Sequence, residues 1–331
     1  MTIPNPLIID CLEASHWERE RFVELRGGGV GCVHVTLSVW DNTRETLSII
    51  GRWNRLFEQN SDLIAHARSA DDIERIADSG RTAILFGFQN TTALEDDIDM
   101  VQIFHLLGVR IIQLTYNTQN SVASGCWEDD SLGVSKFFGR NLIKEMNKVG
   151  MLIDVSHCNE QTCRDAIELS ERPVAITHGN PQEFVGFDIE LNRRNRSTSV
   201  IQALTEKGGV IGLGMYPKIM RGGSNSTIDD FTEMVLWCVE KFGINHVGFG
   251  TDFHKGHAES LITWWRAGRW ARESPLKAPS KLSSWPEWFK TPNQFPEILD
   301  ALRAKGLLEE DLAKICGKNW LRLFRESFSP I

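Results

Sequence analysis

Eight short apolar runs, each followed by a helix-length amphipathic stretch, constrain the fold of this chain more than any other feature. They cover residues 7–10, 29–37, 83–89, 110–116, 151–157, 174–178, 209–215 and 246–252. Their residues are β-rich and nearly continuous in apolar character, the pattern of parallel strands buried on both faces. Between them, residues 71–78, 97–107, 134–149, 159–170, 199–207 and 228–242 repeat apolar positions every three or four residues, which predicts helices. Gly150, Gly208 and Gly243 fall where a helix must stop before the next strand.

Eight βα units predict a closed (β/α)8 barrel of the TIM type, and 331 residues suit one such barrel with insertions. A doubly wound open sheet is the alternative. It would place a glycine-rich phosphate turn after the first strand, and Asp10-Cys11-Leu12-Glu13 is not one. The expectation is one domain over 1–331, with a helical pair at 295–324 closing the chain. Residues 254–292 break the rhythm and hold five of the eleven tryptophans, Trp264, Trp265, Trp270, Trp285 and Trp288. They read as a lid or dimer surface, or as rings packing a loop onto the barrel.

The net charge of -8 is spread over mixed residues and offers no basic stripe to nucleic acid. The seven cysteines, Cys11, Cys32, Cys126, Cys158, Cys163, Cys238 and Cys316, include no CxxC pair, so neither a disulfide framework nor a cysteine zinc site is expected. The start lacks the basic and apolar regions of a signal peptide, and no apolar stretch reaches membrane-spanning length. A cytoplasmic protein without membrane or nucleic-acid partners is the expectation.

In a barrel of this kind the strands' C-terminal ends converge on one pocket, so polar residues there are candidates for chemistry. Successive ends carry Asp10, Ser38, Gln89, Tyr116 with Asn117, His157, His178, Met215 with Tyr216, and Asp252 with His254. His157 and His178 end consecutive strands and are the candidate metal ligands, since neutral imidazole is the commonest protein ligand for zinc. Asp252 is the candidate ligand or general base. Gln89 and Asn117 offer amides to a substrate, and Tyr116 a phenol to a developing oxyanion. Arg194 suits a substrate carboxylate, whereas Arg193 and Arg196 read as solvated charge and His34 as core.

These residues sit in stretches that resemble the renal, or membrane, dipeptidase family of the amidohydrolase superfamily. The stretches are Leu107-Gly108-Val109-Arg110, Leu114-Thr115-Tyr116-Asn117 with Asn120, Glu145-Met146-Asn147 and Asp154-Val155-Ser156-His157. Arg194-Asn195, Gly208-Gly209-Val210-Ile211-Gly212, Val247-Gly248-Phe249-Gly250-Thr251-Asp252-Phe253 and Gly317-Lys318-Asn319-Trp320-Leu321-Arg322 continue the likeness. It implies a (β/α)8 barrel, commonly a homodimer, that uses two zinc ions to hydrolyse dipeptides or related small amides. It also implies that His157 and His178 bind one metal, that Asp252 is the strand-eight aspartate and that Arg194 holds the substrate carboxylate.

The departures fall on the metals. Leu12 and Ala14 stand where the family has a His-x-Asp pair, Gln89 where it has a bridging glutamate, and Tyr116 where it has a substrate-polarising histidine. His254 follows Asp252 where a second aspartate is usual. The expectation is therefore a dipeptidase-like amidohydrolase with at most one divalent metal, zinc by the nature of its ligands. The alternatives are a metal-free lyase, decarboxylase or isomerase of a small organic acid using His178, Asp252, His254 and Tyr116, and a non-catalytic small-molecule binder.

Overall fold

A computed structural model describes residues 6–186, 192–268 and 283–329. Its strands, all parallel, are β1 (Ile8–Glu13), β2 (Val30–Ser38), β3 (Ile64–Ala67), β4 (Thr82–Phe88), β5 (Val109–Gln113), β6 (Leu152–Asp154), β7 (Ala175–Gly179), β8 (Val210–Leu213) and β9 (Val247–Phe249). β1 pairs with both β2 and β9, and β2 pairs with β4, so every strand but β3 lies in one closed ring. The eight apolar runs are the staves of this ring, and the fold is a (β/α)8 TIM barrel.

β3 is an addition to the expected set. It runs beside the first half of β4, from Ile64 opposite Thr82 to Ala67 opposite Leu85, and β5 takes over beside the second half at Phe86. Four residues, Ile-Ala-His-Ala, are too short a run to stand out from periodicity alone. The helices Arg19–Gly27 and Thr43–Gln59 are also additional. The first buries only Arg21, Phe22 and Leu25, so its pattern is faint. The second starts at a reciprocal capping box between Asn42 and Glu45, which satisfies two otherwise orphaned backbone donors.

The anticipated helices follow their strands. Thus Phe138–Val149 ends at Gly150, whose φ of 83° is a left-handed cap that a side chain would strain. The last expected helix is divided: Glu309–Ala313 passes through a wider-turned segment, Lys314–Lys318, into Asn319–Ser327. That segment lays Gly317 on the first strand, where an added Cβ would meet the Leu7 carbonyl at 2.6 Å. The final helix plugs the barrel floor. The Trp320 indole donates to the Phe249 carbonyl at 3.1 Å, and Asn319 donates to the Val247 carbonyl at 2.8 Å. Gly248 leaves room for the ring, since a Cβ there would lie 2.4 Å from Trp320 Nε1.

The floor and staves are packed with buried side chains, so the opposite rim is where polar residues have space. Among the described residues no helix is long and apolar enough to cross a membrane, and all seven cysteines are buried and unpaired.

Candidate active site

The C-terminal strand ends surround a cavity of about 70 Å³. Gln89, Tyr116, Asn117, His157, Arg194, Asp252 and His254, all anticipated from sequence, line it. His178 stands directly behind His157 in contact with it. Only His178 lies within a strand. Gln89 directly follows β4, whereas Tyr116, Asn117, His157 and Asp252 lie three or four residues beyond their strands, and Arg194 comes from the loop after β7.

Backbone strain collects here. Among the described residues five non-glycine positions have positive φ, and three of them are Asn117 (62°), His157 (58°) and Asp252 (56°). Each such conformation costs roughly 1–3 kcal/mol and persists only where the surroundings impose it. All three side chains line the cavity.

His157 and His178 meet through their Nε2 atoms at 3.1 Å. The outer nitrogens are fixed as well. His157 Nδ1 donates to Asn117 Oδ1 at 2.6 Å, because a carbonyl oxygen only accepts. His178 Nδ1 faces Thr177 Oγ1 at 2.8 Å, and Thr177 in turn donates its one hydroxyl proton to Asp154 Oδ2 at 2.6 Å. With that proton committed, His178 Nδ1 is the donor, and both Nε2 atoms present lone pairs to each other. Lone pairs at this distance call for a cation between them.

A divalent metal fits that demand. Two imidazole ligands at the usual zinc distances, in tetrahedral arrangement, have nitrogens about 3.3 Å apart, close to the observed spacing. Among the described residues no group of three or more histidine, cysteine, aspartate or glutamate side chains comes together in a metal-binding arrangement. Leu12 and Ala14 place apolar side chains where the resemblance calls for two further ligands, and both are buried. Among the described residues, the ligands on offer to a cation at this point are thus the two imidazole nitrogens.

Two buried aspartates orient the site from below by the same device. Asp154 Oδ1 accepts from the Thr177 amide at 3.1 Å while its Oδ2 takes the Thr177 hydroxyl, and the next residue is His178. Asp10 Oδ1 accepts from the Thr251 amide at 2.8 Å while its Oδ2 takes the Thr251 hydroxyl at 2.6 Å, and the next residue is Asp252. Each clamp ties one strand end to its neighbour and fixes the residue that follows. Asp10 thus reaches Thr251 without lining the cavity. Burial pushes both carboxyls up, Asp10 to about 7.

Burial likewise raises the Asp252 carboxyl to about 6, against the opposing pull of the Arg194 and Arg266 guanidinium groups. Arg194 Nη2 lies 3.6 Å from Asp252 Oδ2 and makes no hydrogen bond, although it is buried. Gln89 donates to Thr36 Oγ1 at 2.7 Å and leaves its own Oε1 buried without a partner. Burial holds His157, His178 and His254 below the ordinary histidine range, His254 at about 4, so all three are neutral at pH 7. Tyr116 stacks on His157 with ring centres 4.1 Å apart, and burial raises its phenol, which stays protonated.

Sequence reasoning passed over Trp127, Lys218 and Arg266, which also line the cavity. Arg266 donates to the Tyr216 hydroxyl, and burial lowers Lys218 to about 8. Both come from irregular or inserted segments, where no strand-end rule points inward. Arg196 corrects the expectation of a solvated charge: its side chain is 3% exposed and sits 3.6 Å from Glu160. Arg193 is exposed, and His34 is core, its Nδ1 donating to the Cys11 carbonyl at 2.7 Å. Of the tryptophan-rich segment, Trp270 lies outside the described residues. Trp265 lines the cavity, and Trp285 donates to the His254 carbonyl at 3.2 Å.

A closed parallel barrel with a histidine pair, a strained aspartate and an arginine at its C-terminal rim defines an amidohydrolase-type protein. Residues 13–262 match the family model for the membrane dipeptidases, peptidase family M19, and the chain belongs to that family. An amidohydrolase structure from Pseudomonas aeruginosa superposes with a TM-score of 0.90 at 35% identity, over 98% of this chain and 97% of that one. A Rhodobacter sphaeroides metallopeptidase, liganded with a phosphinate mimic of the dipeptide L-Ala-D-Ala, shares the fold at 16% identity and TM-score 0.80, over 98% of this chain and 99% of that one. Dipeptidase tcpJ of Claviceps purpurea is 26% identical over 95% of this chain and 69% of its own length. An uncharacterized dipeptidase of Schizosaccharomyces pombe is 30% identical over 63% of this chain and 51% of its own.

Proposed function

We propose that this chain hydrolyses a small, carboxylate-bearing amide or dipeptide-like compound, using a single divalent metal, zinc by preference, held by His157 and His178. The observation that carries the reading is the pairing of Arg194, with an unbonded Nη2, and Asp252, with a carboxyl raised to about 6, on one cavity beside the histidine pair. Arg194 binds the substrate carboxylate. Asp252 accepts a proton from the attacking water and returns it to the leaving nitrogen, a task suited to a pKa near the working pH. Tyr116 donates its phenolic proton to the carbonyl oxygen as charge develops there. Gln89 Oε1 accepts from the substrate N–H. Asn117 holds His157 in the tautomer that leaves Nε2 free. When bound, the metal supplies Lewis acidity and a water of lowered pKa.

The apolar Leu12 and Ala14 favour a second reading, in which His178, Asp252, His254 and Tyr116 perform metal-free lyase, decarboxylase or isomerase chemistry on a small organic acid. Elemental analysis of protein purified without chelator separates the two, together with turnover of a panel of dipeptides and N-acyl amino acids. Near-stoichiometric zinc or manganese with amide cleavage supports the hydrolase. Less than about a tenth of an equivalent rules out the metal.

A further inference from the structure

The cavity that holds the candidate catalytic groups is too small for the compounds such a site would cleave. Its volume of about 70 Å³ is room for two or three waters at about 30 Å³ each, whereas pockets that bury a small-molecule ligand run from about 300 to 1,000 Å³. A second cavity of about 490 Å³ adjoins it, and Ala14 and Trp265 belong to the walls of both. Trp17, Trp53, Trp264 and Trp265 line the outer chamber, and Arg52 and Arg55 stand exposed at its edge.

We propose that the outer chamber binds the acyl portion of the substrate and selects an aromatic group there, with the amide bond lying in the inner cavity beyond Ala14. The proposal rests on the hydrolase reading. Arg194 anchors the substrate's carboxylate end, so the acyl end must leave the inner cavity, and Ala14, a small side chain common to both walls, marks where the two cavities meet. Indole faces on the chamber wall stack an aromatic ring. Arg52 and Arg55 outweigh the single carboxylate of the lining, Asp41, and disfavour a free ammonium at that end, which points to an N-acyl amino acid more than to a dipeptide with a free amino terminus.

The test compares N-acetyl-alanine with N-(3-phenylpropanoyl)-alanine in the wild type and in Ile49→Trp and Leu261→Trp, which fill the chamber from two different elements. The wild type should favour the phenylpropanoyl compound at least tenfold in kcat/KM, and each variant should cut that ratio at least tenfold. A ratio unchanged in both variants overturns the proposal. Calorimetric binding of 3-phenylpropanoate keeps the chamber distinguishable from the hydrolase reading. If neither amide is cleaved, binding that weakens tenfold in both variants upholds the chamber while the hydrolase reading fails, and no binding to the wild type overturns the chamber.

Discussion

His157 Nε2 and His178 Nε2 face each other at 3.1 Å, each with its other ring nitrogen already committed. With both inner lone pairs free, the pair is poised to share a cation. His157→Ala and His178→Ala are each expected to lower bound zinc or manganese by tenfold or more, measured by elemental analysis after dialysis against buffered metal. Asn117→Ala frees the His157 tautomer and should weaken metal affinity by about 10- to 100-fold, the usual effect of losing a partner that orients a ligand.

Asp252 as base requires the ionised carboxylate. With its carboxyl at about 6, kcat/KM should rise with pH to a plateau above 7 and fall about tenfold at pH 5. Lys218, at about 8, loses its charge as pH passes that value, so KM for an anionic substrate should rise on the alkaline side. Asp252→Asn removes the acid limb and lowers kcat by about 10²–10⁴-fold. A profile whose limb near 6 survives in Asp252→Asn would assign the base elsewhere.

Arg194 is read as the carboxylate anchor. Arg194→Lys keeps the charge and loses the planar fork, so KM for a carboxylate-bearing amide should rise roughly tenfold or more. The corresponding C-terminal amides should change little. Equal losses on both substrate types, seen in parallel kinetics, would mean that Arg194 serves Asp252 and not the substrate.

The two aspartate clamps are testable without removing a charge. Thr251→Val and Thr177→Val delete the hydroxyls that reach Asp10 and Asp154 and leave buried acceptors unpaired. Each should cost about 1–3 kcal/mol in urea unfolding. Thr251→Val should also move the acid limb assigned to Asp252, because the residue it fixes is the base. Thr177→Val should reduce metal affinity through His178 and leave that limb in place.

The ring staves were legible because parallel strands buried on both faces must be apolar throughout, a pattern that survives in one dimension. β3 was not, since four residues with a histidine among them carry no period. The strand-end rule found Gln89, Tyr116, Asn117, His157, Asp252 and His254, because closure of the ring brings all such ends to one rim. It missed Lys218, Arg266 and Trp127, which reach the cavity from a short 3-10 turn, a helix and a loop that lie well past the strand ends. It also misjudged Arg196, whose burial against Glu160 depends on a helix that starts 36 residues earlier.

The chemical inventory of the rim was thus a property of the sequence, since it follows from residue type and strand order, and the resemblance added that Leu12 and Ala14 stand where the family has ligands. The 3.1 Å approach of the imidazoles, the left-handed turns at Asn117, His157 and Asp252, and the larger chamber behind Ala14 belong to the tertiary structure. They depend on where separate segments stop relative to one another. Hydrogen bonds and packing across the barrel fix that, and no local pattern encodes it.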